Sequence, residues 1–125
     1  MENRWKSVLE KGWKPPKLKH GKPTKYGWWT YHPEHIEIGK LVDIGSGCRL
    51  FGHHWIFIED NVSIGGGCYL YTYNSINNEE GSILIKKGAK IGALTLILPG
   101  VRIEEDEYIP ARSIVYMKNG VRVIK

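Results

Sequence analysis

Residues 85–101 read IKKGAKIGALTLILPGV, and this stretch decides the fold because its pattern repeats every six residues. Isoleucine stands at the first position of three consecutive hexads, at Ile85, Ile91 and Ile97. A period of six is neither the period of about 3.6 of an amphipathic helix nor the period of about two of a half-buried strand. It is the spacing of a β-helix in which each hexad supplies one short strand and one corner.

The same period extends over most of the chain. If three hexads make one coil, the aliphatic residues form three columns with one residue per coil. The columns are Ile38, Ile58, Ile85 and Ile103; Ile44, Ile64, Ile91 and Ile109; and Leu50, Leu70, Ile97 and Val115. We expect all twelve side chains to point inward, each contributing about 1.5–3 kcal/mol by burial against its equivalents. The sequence therefore predicts an all-β fold, a parallel β-helix of about four coils.

Two breaks in the period lie at the same edge of the predicted prism. About two extra residues occur around positions 53–57, and residues 76–84 are expected to leave the coil as an exposed loop. Both breaks follow the third hexad of a coil, so they should project one above the other. Insertions on one face of a solenoid are commonly its functional face.

The corner positions point to the same edge. The third corner reads His54, Asn74 and Val101, and it is polar only in the two coils that carry insertions. We therefore expect His54 to stack above Asn74 as the centre of a site. Cys48 and Cys68 occupy equivalent corners of consecutive coils and should stack as reduced, buried thiols. Without a CxxC spacing they do not indicate zinc, and no metal is expected.

Length and charge limit the remaining possibilities. The 125 residues suit one domain. No apolar run reaches the ~20 residues of a membrane span, and the N-terminus lacks the features of a secretory signal. A cytoplasmic protein is therefore expected. Residues 1–31 form a basic and aromatic arm, with a helix predicted over 5–11 and Trp28, Trp29 and Tyr31 as a plug for the first coil. The arm is expected to be a solvated tail. It could also hold nucleic acid or attract a phosphate-rich ligand, but no nucleic-acid-binding motif accompanies it. Residues 32–115 would be the β-helix and 116–125 a terminal hairpin turning at Asn119–Gly120.

The segments IKKGAKIGALTLILPGVRI, PEHIEIGKLVDIGSG and IEDNVSIGGGCYLYTYNS resemble the hexapeptide-repeat acyltransferases, most closely the sugar and nucleotide-sugar O- and N-acetyltransferases. The resemblance covers about residues 32–115. It implies a left-handed parallel β-helix, a homotrimer, and acetyl-CoA as co-substrate in a groove between subunits. By position it places Gly92, Ala93, Pro99, Gly100, Ala111 and Arg112 along the pantetheine arm.

The catalytic residues depart from the pattern of that family. In the maltose and galactoside acetyltransferases a catalytic histidine follows the turn equivalent to Tyr71–Thr72, and Tyr73 or Ser75 occupies its place here. The C-terminal loop and helix that help to hold coenzyme A in the family are also missing.

The histidines of the first insertion are the alternative bases. His54 is the first candidate and His53 the second, because a neutral imidazole suits general-base chemistry. Asn74 would orient the acceptor, and Tyr73, Ser75 and Trp55 would contact the substrate, with Trp55 also near a subunit boundary.

Three functions remain open at this point. The first is acyl transfer from acyl-CoA to a hydroxyl or amine of a sugar or nucleotide sugar. The second is a non-catalytic trimer that binds a sugar or a partner protein. The third is a zinc hydro-lyase resembling the γ-class carbonic anhydrases, which is disfavoured because His53 and His54 are adjacent and no later coil supplies another histidine.

Overall fold

The computed structural model describes residues 12–125, so the helix predicted over 5–11 lies outside the described residues. The described chain is almost entirely strand and turn, with one short 3-10 helix at Pro33–His35. The strands in chain order are β1 (Lys22–Pro23), β2 (Trp29–Tyr31), β3 (Ile36–Ile38), β4 (Asp43–Ile44), β5 (Arg49–Phe51), β6 (Ile56–Ile58), β7 (Ser63–Ile64), β8 (Tyr69–Tyr71), β9 (Tyr73–Asn74), β10 (Glu79–Glu80), β11 (Ile83–Ile85), β12 (Lys90–Ile91), β13 (Leu96–Ile97), β14 (Arg102–Ile103), β15 (Tyr108–Ile109), β16 (Ile114–Lys118) and β17 (Val121–Ile124).

Three parallel sheets run along the stack of coils, which confirms the β-solenoid of about four turns. The first sheet has the order β3-β6-β11-β14, and the second has the order β4-β7-β12-β15. The third sheet has the order β1-β2-β5-β8-β13-β16-β17, with β1 and β17 added antiparallel at its two ends. Successive strands of one coil belong to successive sheets, so the chain visits all three before it rises to the next coil.

The predicted columns are confirmed by the strand register. Ile38 pairs with Ile58, Ile44 with Ile64, and Leu50 with Leu70, and the later coils continue each column. Eleven of the twelve side chains are buried. Ile38 is only partly buried because β3 is the edge strand of the first sheet, with a neighbouring coil on one side only.

The second insertion begins and ends earlier in the chain than the sequence indicates. Ile83 and Leu84 were expected in the loop, but they belong to β11, and Ile83 pairs with Ile56. The reason is that β3, β6 and β11 of the first sheet are three residues long with both ends facing inward, so Ile36, Ile56 and Ile83 form a further buried column. The residues that do leave the coil form a hairpin of β9 and β10.

The N-terminal end of the stack is covered by Trp28, which is 2% exposed. The expectation that Trp29 and Tyr31 share this role is wrong. Thr30 occupies the inward position of β2, paired with Leu50, so its two neighbours face outward and are only half buried. Leu18 and Trp13 of the arm also pack here, and the Trp13 indole donates a hydrogen bond to the Val42 carbonyl at 3.2 Å.

The C-terminal end carries the hairpin of β16 and β17, which turns at Asn119 and Gly120. Arg122 of β17 forms an ion pair with Glu107 at a corner of the last coil. In the middle of the stack Cys48 and Cys68 are fully buried free thiols, and the Cys68 amide donates to the Cys48 sulfur at 3.4 Å. Helices able to span a membrane do not occur among residues 12–125.

Candidate functional site

The two insertions meet at the edge between the third and first sheets, where Thr72 joins them. Its side chain is fully buried, donates a hydrogen bond to the Phe51 carbonyl at 2.6 Å, and accepts one from the His54 amide at 2.9 Å. The first insertion is thereby fixed against the coil that gives rise to the hairpin of β9 and β10. Residues from two successive coils are held in one position at this edge.

A cleft of about 600 Å³ lies beside the hairpin, against the outer face of the third sheet. One wall is apolar and consists of outward-facing side chains from three coils, namely Phe51, Tyr71, Leu96 and Leu98. Phe51 and Tyr71 stack in parallel with ring centroids 4.5 Å apart, and Phe51 stacks in the same way on Tyr31 at 4.8 Å. This wall is flat and suits an extended, largely apolar ligand segment.

The opposite wall of the cleft is polar and comes from the two insertions. It contains His53, Tyr73, Asn74 and Ser75, with Ile76 at the exposed tip of the hairpin. The Asn74 side-chain oxygen accepts a hydrogen bond from the Ile76 amide at 3.2 Å, which fixes the orientation of the Asn74 carboxamide. The amide nitrogen of Asn74 is the end of that group left to donate to a ligand.

His53 is the histidine that the structure brings into the cleft. Its ring lies 5.7 Å from the Tyr73 ring and 4.7 Å from the His32 ring, and His32 lies 4.8 Å from His20. The pKa of His53 is lowered, first by desolvation and then by the charges of His32, His54 and His20. A lowered pKa keeps the imidazole neutral near pH 7, which is the form that accepts a proton.

His54 and Trp55, which the sequence also proposes, do not line the cleft. The His54 Nε2 lies 3.1 Å from a carboxylate oxygen of Glu80 at the far strand of the hairpin. Trp55 stacks in parallel on Phe57 at 5.4 Å, on the side of the first sheet. The stack of His54 over Asn74 stays a prediction, and the ring contact that the structure shows at this edge is between His53 and Tyr73.

The six residues predicted to line the pantetheine arm fall at two separate corners. Gly92–Ala93 and Ala111–Arg112 are stacked at the corner between the second and third sheets, where the Arg112 amide donates to the Ala93 carbonyl at 2.8 Å. Pro99–Gly100 lies at the corner between the third and first sheets. Because the third sheet separates the two corners, one chain cannot bring all six residues into one groove.

The apolar wall of the cleft was missed at the sequence level, although the sequence carries a signal for it. The residue after each inward residue of the third sheet is apolar in every coil: Tyr31, Phe51, Tyr71, Leu98 and Tyr116. The equivalent positions of the first sheet are Gly39, Glu59, Lys86 and Glu104. The difference marks the third sheet as the one whose outer face is built for contact.

No protein-family model matches this chain, and neither does any curated protein sequence. Among solved structures, the chain is similar to a point mutant of AntD, an N-acyltransferase from Bacillus cereus, in complex with dTDP and coenzyme A. The identity is 19%, the TM-score is 0.55, and the match covers 81% of this chain and 78% of the other. The two chains share a fold. A second Bacillus cereus protein, a proposed acetyltransferase, matches at 15% identity with a TM-score of 0.27, which is too low to indicate a shared fold.

Residues 12–125 contain no group of three or more His, Cys, Asp or Glu side chains placed to hold a metal ion. The polar wall of the cleft supplies an imidazole, a carboxamide and two hydroxyls beside the apolar wall. These groups can accept a proton, orient an acceptor and exclude water from a thioester.

Proposed function

We propose that this protein is an acyl-CoA-dependent acyltransferase that acetylates a hydroxyl or amine of a sugar or nucleotide sugar. The observation that carries the proposal is the position of His53, an imidazole of lowered pKa on the polar wall of the cleft. The shared fold with an N-acyltransferase supports it at the level of architecture.

The reaction proposed is direct transfer without a covalent enzyme intermediate. His53 accepts the proton of the acceptor as its oxygen or nitrogen attacks the thioester carbonyl. The carbon–sulfur bond then breaks, the acyl group stays on the acceptor, and the thiolate of coenzyme A takes up the proton that His53 accepted, which leaves His53 neutral again. The Asn74 amide nitrogen is placed to donate a hydrogen bond to the acceptor or to the developing oxyanion. Buried thiols make Cys48 and Cys68 unsuitable as nucleophiles.

We also propose that the protein acts as a homotrimer. The outer face of the third sheet exposes aromatic and aliphatic side chains in every coil, and apolar surface of this extent is normally covered. Cyclic association would place the Gly92 corner of one copy beside the Pro99 corner of the next, so that the two sets of predicted pantetheine residues line one groove. The groove would then continue into the cleft beside His53.

Isothermal titration calorimetry with acetyl-CoA is the first test, because a non-catalytic scaffold has no reason to bind it. The second test compares turnover of His53→Ala with that of His54→Ala, the matched control from the adjacent position. Loss of a general base lowers rates by about 10²–10⁴-fold, so we expect that loss in His53→Ala alone, with acetyl-CoA binding retained.

Two results would contradict these assignments. If the wild-type trimer does not bind acetyl-CoA, the transferase proposal fails and a non-catalytic trimer is favoured. If His54→Ala loses turnover and His53→Ala does not, the base is His54, held by Glu80.

A further inference from the structure

Arg49 is a cation held in place by aromatic groups on the outer face of the third sheet. Its register neighbours are Trp29 in the coil before and Tyr69 in the coil after. The guanidinium carbon lies 4.5 Å from the centroid of the Trp29 ring, and a guanidinium nitrogen donates a hydrogen bond to the Tyr31 hydroxyl. Stacking of this kind fixes the plane of the guanidinium. The Tyr69 hydroxyl is also close enough to accept a hydrogen bond from it, and the N–H groups that the two tyrosines do not use can donate to a ligand.

The Arg49 charge has no carboxylate partner in the described part of the chain. The ion pairs found there use Arg102 with Glu104 and Arg122 with Glu107, and none includes Arg49. The absence follows from the composition of the sheet, since none of its seven strands contains Asp or Glu. A cation on an apolar, acid-free face is matched by an anion from outside that face, because burying it unpaired under a ligand or a neighbouring subunit would be costly.

The position of Arg49 relates it to the cleft. It precedes Phe51 by two residues on β5, and Phe51 lines the apolar wall. A strand rises about 3.3 Å per residue, so the Cα atoms of Arg49 and Phe51 are roughly 7 Å apart.

We propose that Arg49 binds an anionic group, a phosphate or a carboxylate, carried by the acceptor substrate. The inference rests on the proposed transferase function and narrows it, because it makes the acceptor an acidic molecule. In this arrangement the anion lies on Arg49 at the N-terminal part of the third sheet, and the group to be acylated lies beside His53. A planar guanidinium donates two parallel hydrogen bonds to either kind of anion, so the two anions share one recognition chemistry.

The test follows two NMR signals while probes are added: the Arg49 side-chain Nε–H resonance in the wild-type protein, and the backbone amide resonances of β5 in the wild type and in every variant. The probes are inorganic pyrophosphate for the phosphate class, malonate for the carboxylate class, and glucose as a neutral control. Arg49→Gln assigns the resonance and removes the charge, while Arg49→Lys keeps the charge without the planar fork. Arg102→Gln is the matched control, since Arg102 is exposed on the first sheet and already paired with Glu104 at 2.9 Å.

We expect saturable shifts with at least one anion and none with glucose. We expect affinity for that anion to fall by about tenfold or more in Arg49→Gln, less in Arg49→Lys, and not at all in Arg102→Gln. Absence of a saturable shift with both anions overturns the proposal. So does dissociation of the oligomer in Arg49→Gln with unchanged anion affinity, because Arg49 would then pair with a second copy of the chain.

Calorimetry with coenzyme A distinguishes an anion on the acceptor from a phosphate of coenzyme A. It also distinguishes failure of the anion-site proposal from failure of the transferase proposal. Unchanged coenzyme A affinity in Arg49→Gln supports an anion on the acceptor, whereas a parallel loss would assign Arg49 to a phosphate of coenzyme A and overturn the acceptor assignment. If the wild-type protein binds an anion through Arg49 but does not bind coenzyme A, the transferase proposal fails and the anion site stands.

Discussion

Substituting Gly92 by alanine should weaken the stack of coils at one defined point. Gly92 begins the corner after β12, and its amide donates to the Ile109 carbonyl of the next coil at 2.8 Å. A methyl group on Gly92 would lie 2.3 Å from the Ala111 nitrogen and 2.6 Å from its Cα. Both atoms are backbone, so neither can move aside as the end of a flexible side chain would.

The cost can be worked from these distances. Restoring the methyl-to-nitrogen distance from 2.3 Å to an ordinary contact of 3.4 Å requires the coils to separate locally by about 1.1 Å. The Gly92-to-Ile109 hydrogen bond would then lengthen from 2.8 Å to about 3.9 Å, beyond the range of a hydrogen bond. The adjacent bond from the Arg112 amide to the Ala93 carbonyl, also 2.8 Å, would be stretched with it. At about 0.5–1.5 kcal/mol for each hydrogen bond, the loss of both costs about 1–3 kcal/mol together.

Urea unfolding followed by circular dichroism measures this loss. With an m-value of about 1–3 kcal/mol per molar, the midpoint of Gly92→Ala should fall by roughly 1 M. Gly12→Ala is the control, since an added methyl there meets nothing within 4 Å. Equal free energies of unfolding for the two variants, within about 0.5 kcal/mol, would refute the argument that coil spacing at this corner requires glycine.

Three further predictions concern the core, a corner and the last coil. Ile97→Ala, at a fully buried position, should lower the free energy of unfolding by about 2–5 kcal/mol in the same urea experiment. Ile114→Ala, on the outer face, should lower it much less, and similar losses in the two variants would contradict the assigned orientations. Leu94 is 56% exposed and has a φ of 60°, a left-handed conformation that asparagine adopts more readily than leucine. Leu94→Asn should therefore keep the free energy of unfolding or raise it by up to about 1 kcal/mol, while it weakens the proposed trimer in sedimentation experiments. An unchanged trimer would place Leu94 outside the interface. The hydrogen bond from Arg122 lowers the pKa of Glu107. This pair therefore stabilises the fold fully above the ordinary carboxyl pKa of about 4.3, and its contribution is lost as the pH falls through the lower pKa of the folded state. Glu107→Gln should remove that part of the pH dependence of the unfolding free energy, and an unchanged pH dependence would contradict the assignment.

The columns of the core could be predicted because each inward position has the same neighbours in every coil. Ile91, for example, lies between Ile64 and Ile109, so one requirement for an aliphatic side chain repeats at a fixed spacing. The requirement is strict enough to show in a single sequence. Ile38 departs from it because its sheet ends there, and the end of a sheet is not marked by the period.

The residues of the site could be predicted only to within a short segment. An insertion breaks the register, and the period does not tell which inserted residue faces which side. Here the outcome depends on Thr72, whose hydroxyl holds the His54 amide and so leaves His53 beside Tyr73. A buried threonine that bridges two coils resembles an ordinary corner residue in the sequence. The choice between two adjacent histidines was therefore a matter of tertiary contacts.

The outer faces of the three sheets are free of the constraint that makes their inner faces alike, and they can differ without cost to the core. Two of the four outward residues of the second sheet, Asp43 and Lys90, are exposed and charged, as expected of a surface in water, and the other two are Ser63 and Tyr108. The third sheet instead carries aromatic residues, a stacked Arg49 and no carboxylate, and both insertions leave the coil at its edge. Contact with water explains the exposed charges of the second sheet. It does not explain the third sheet, because a face that meets only water gains nothing from lacking acidic residues while it keeps a cation. The combination is explained if the third sheet serves recognition, with its apolar residues for contact and Arg49 for a complementary charge.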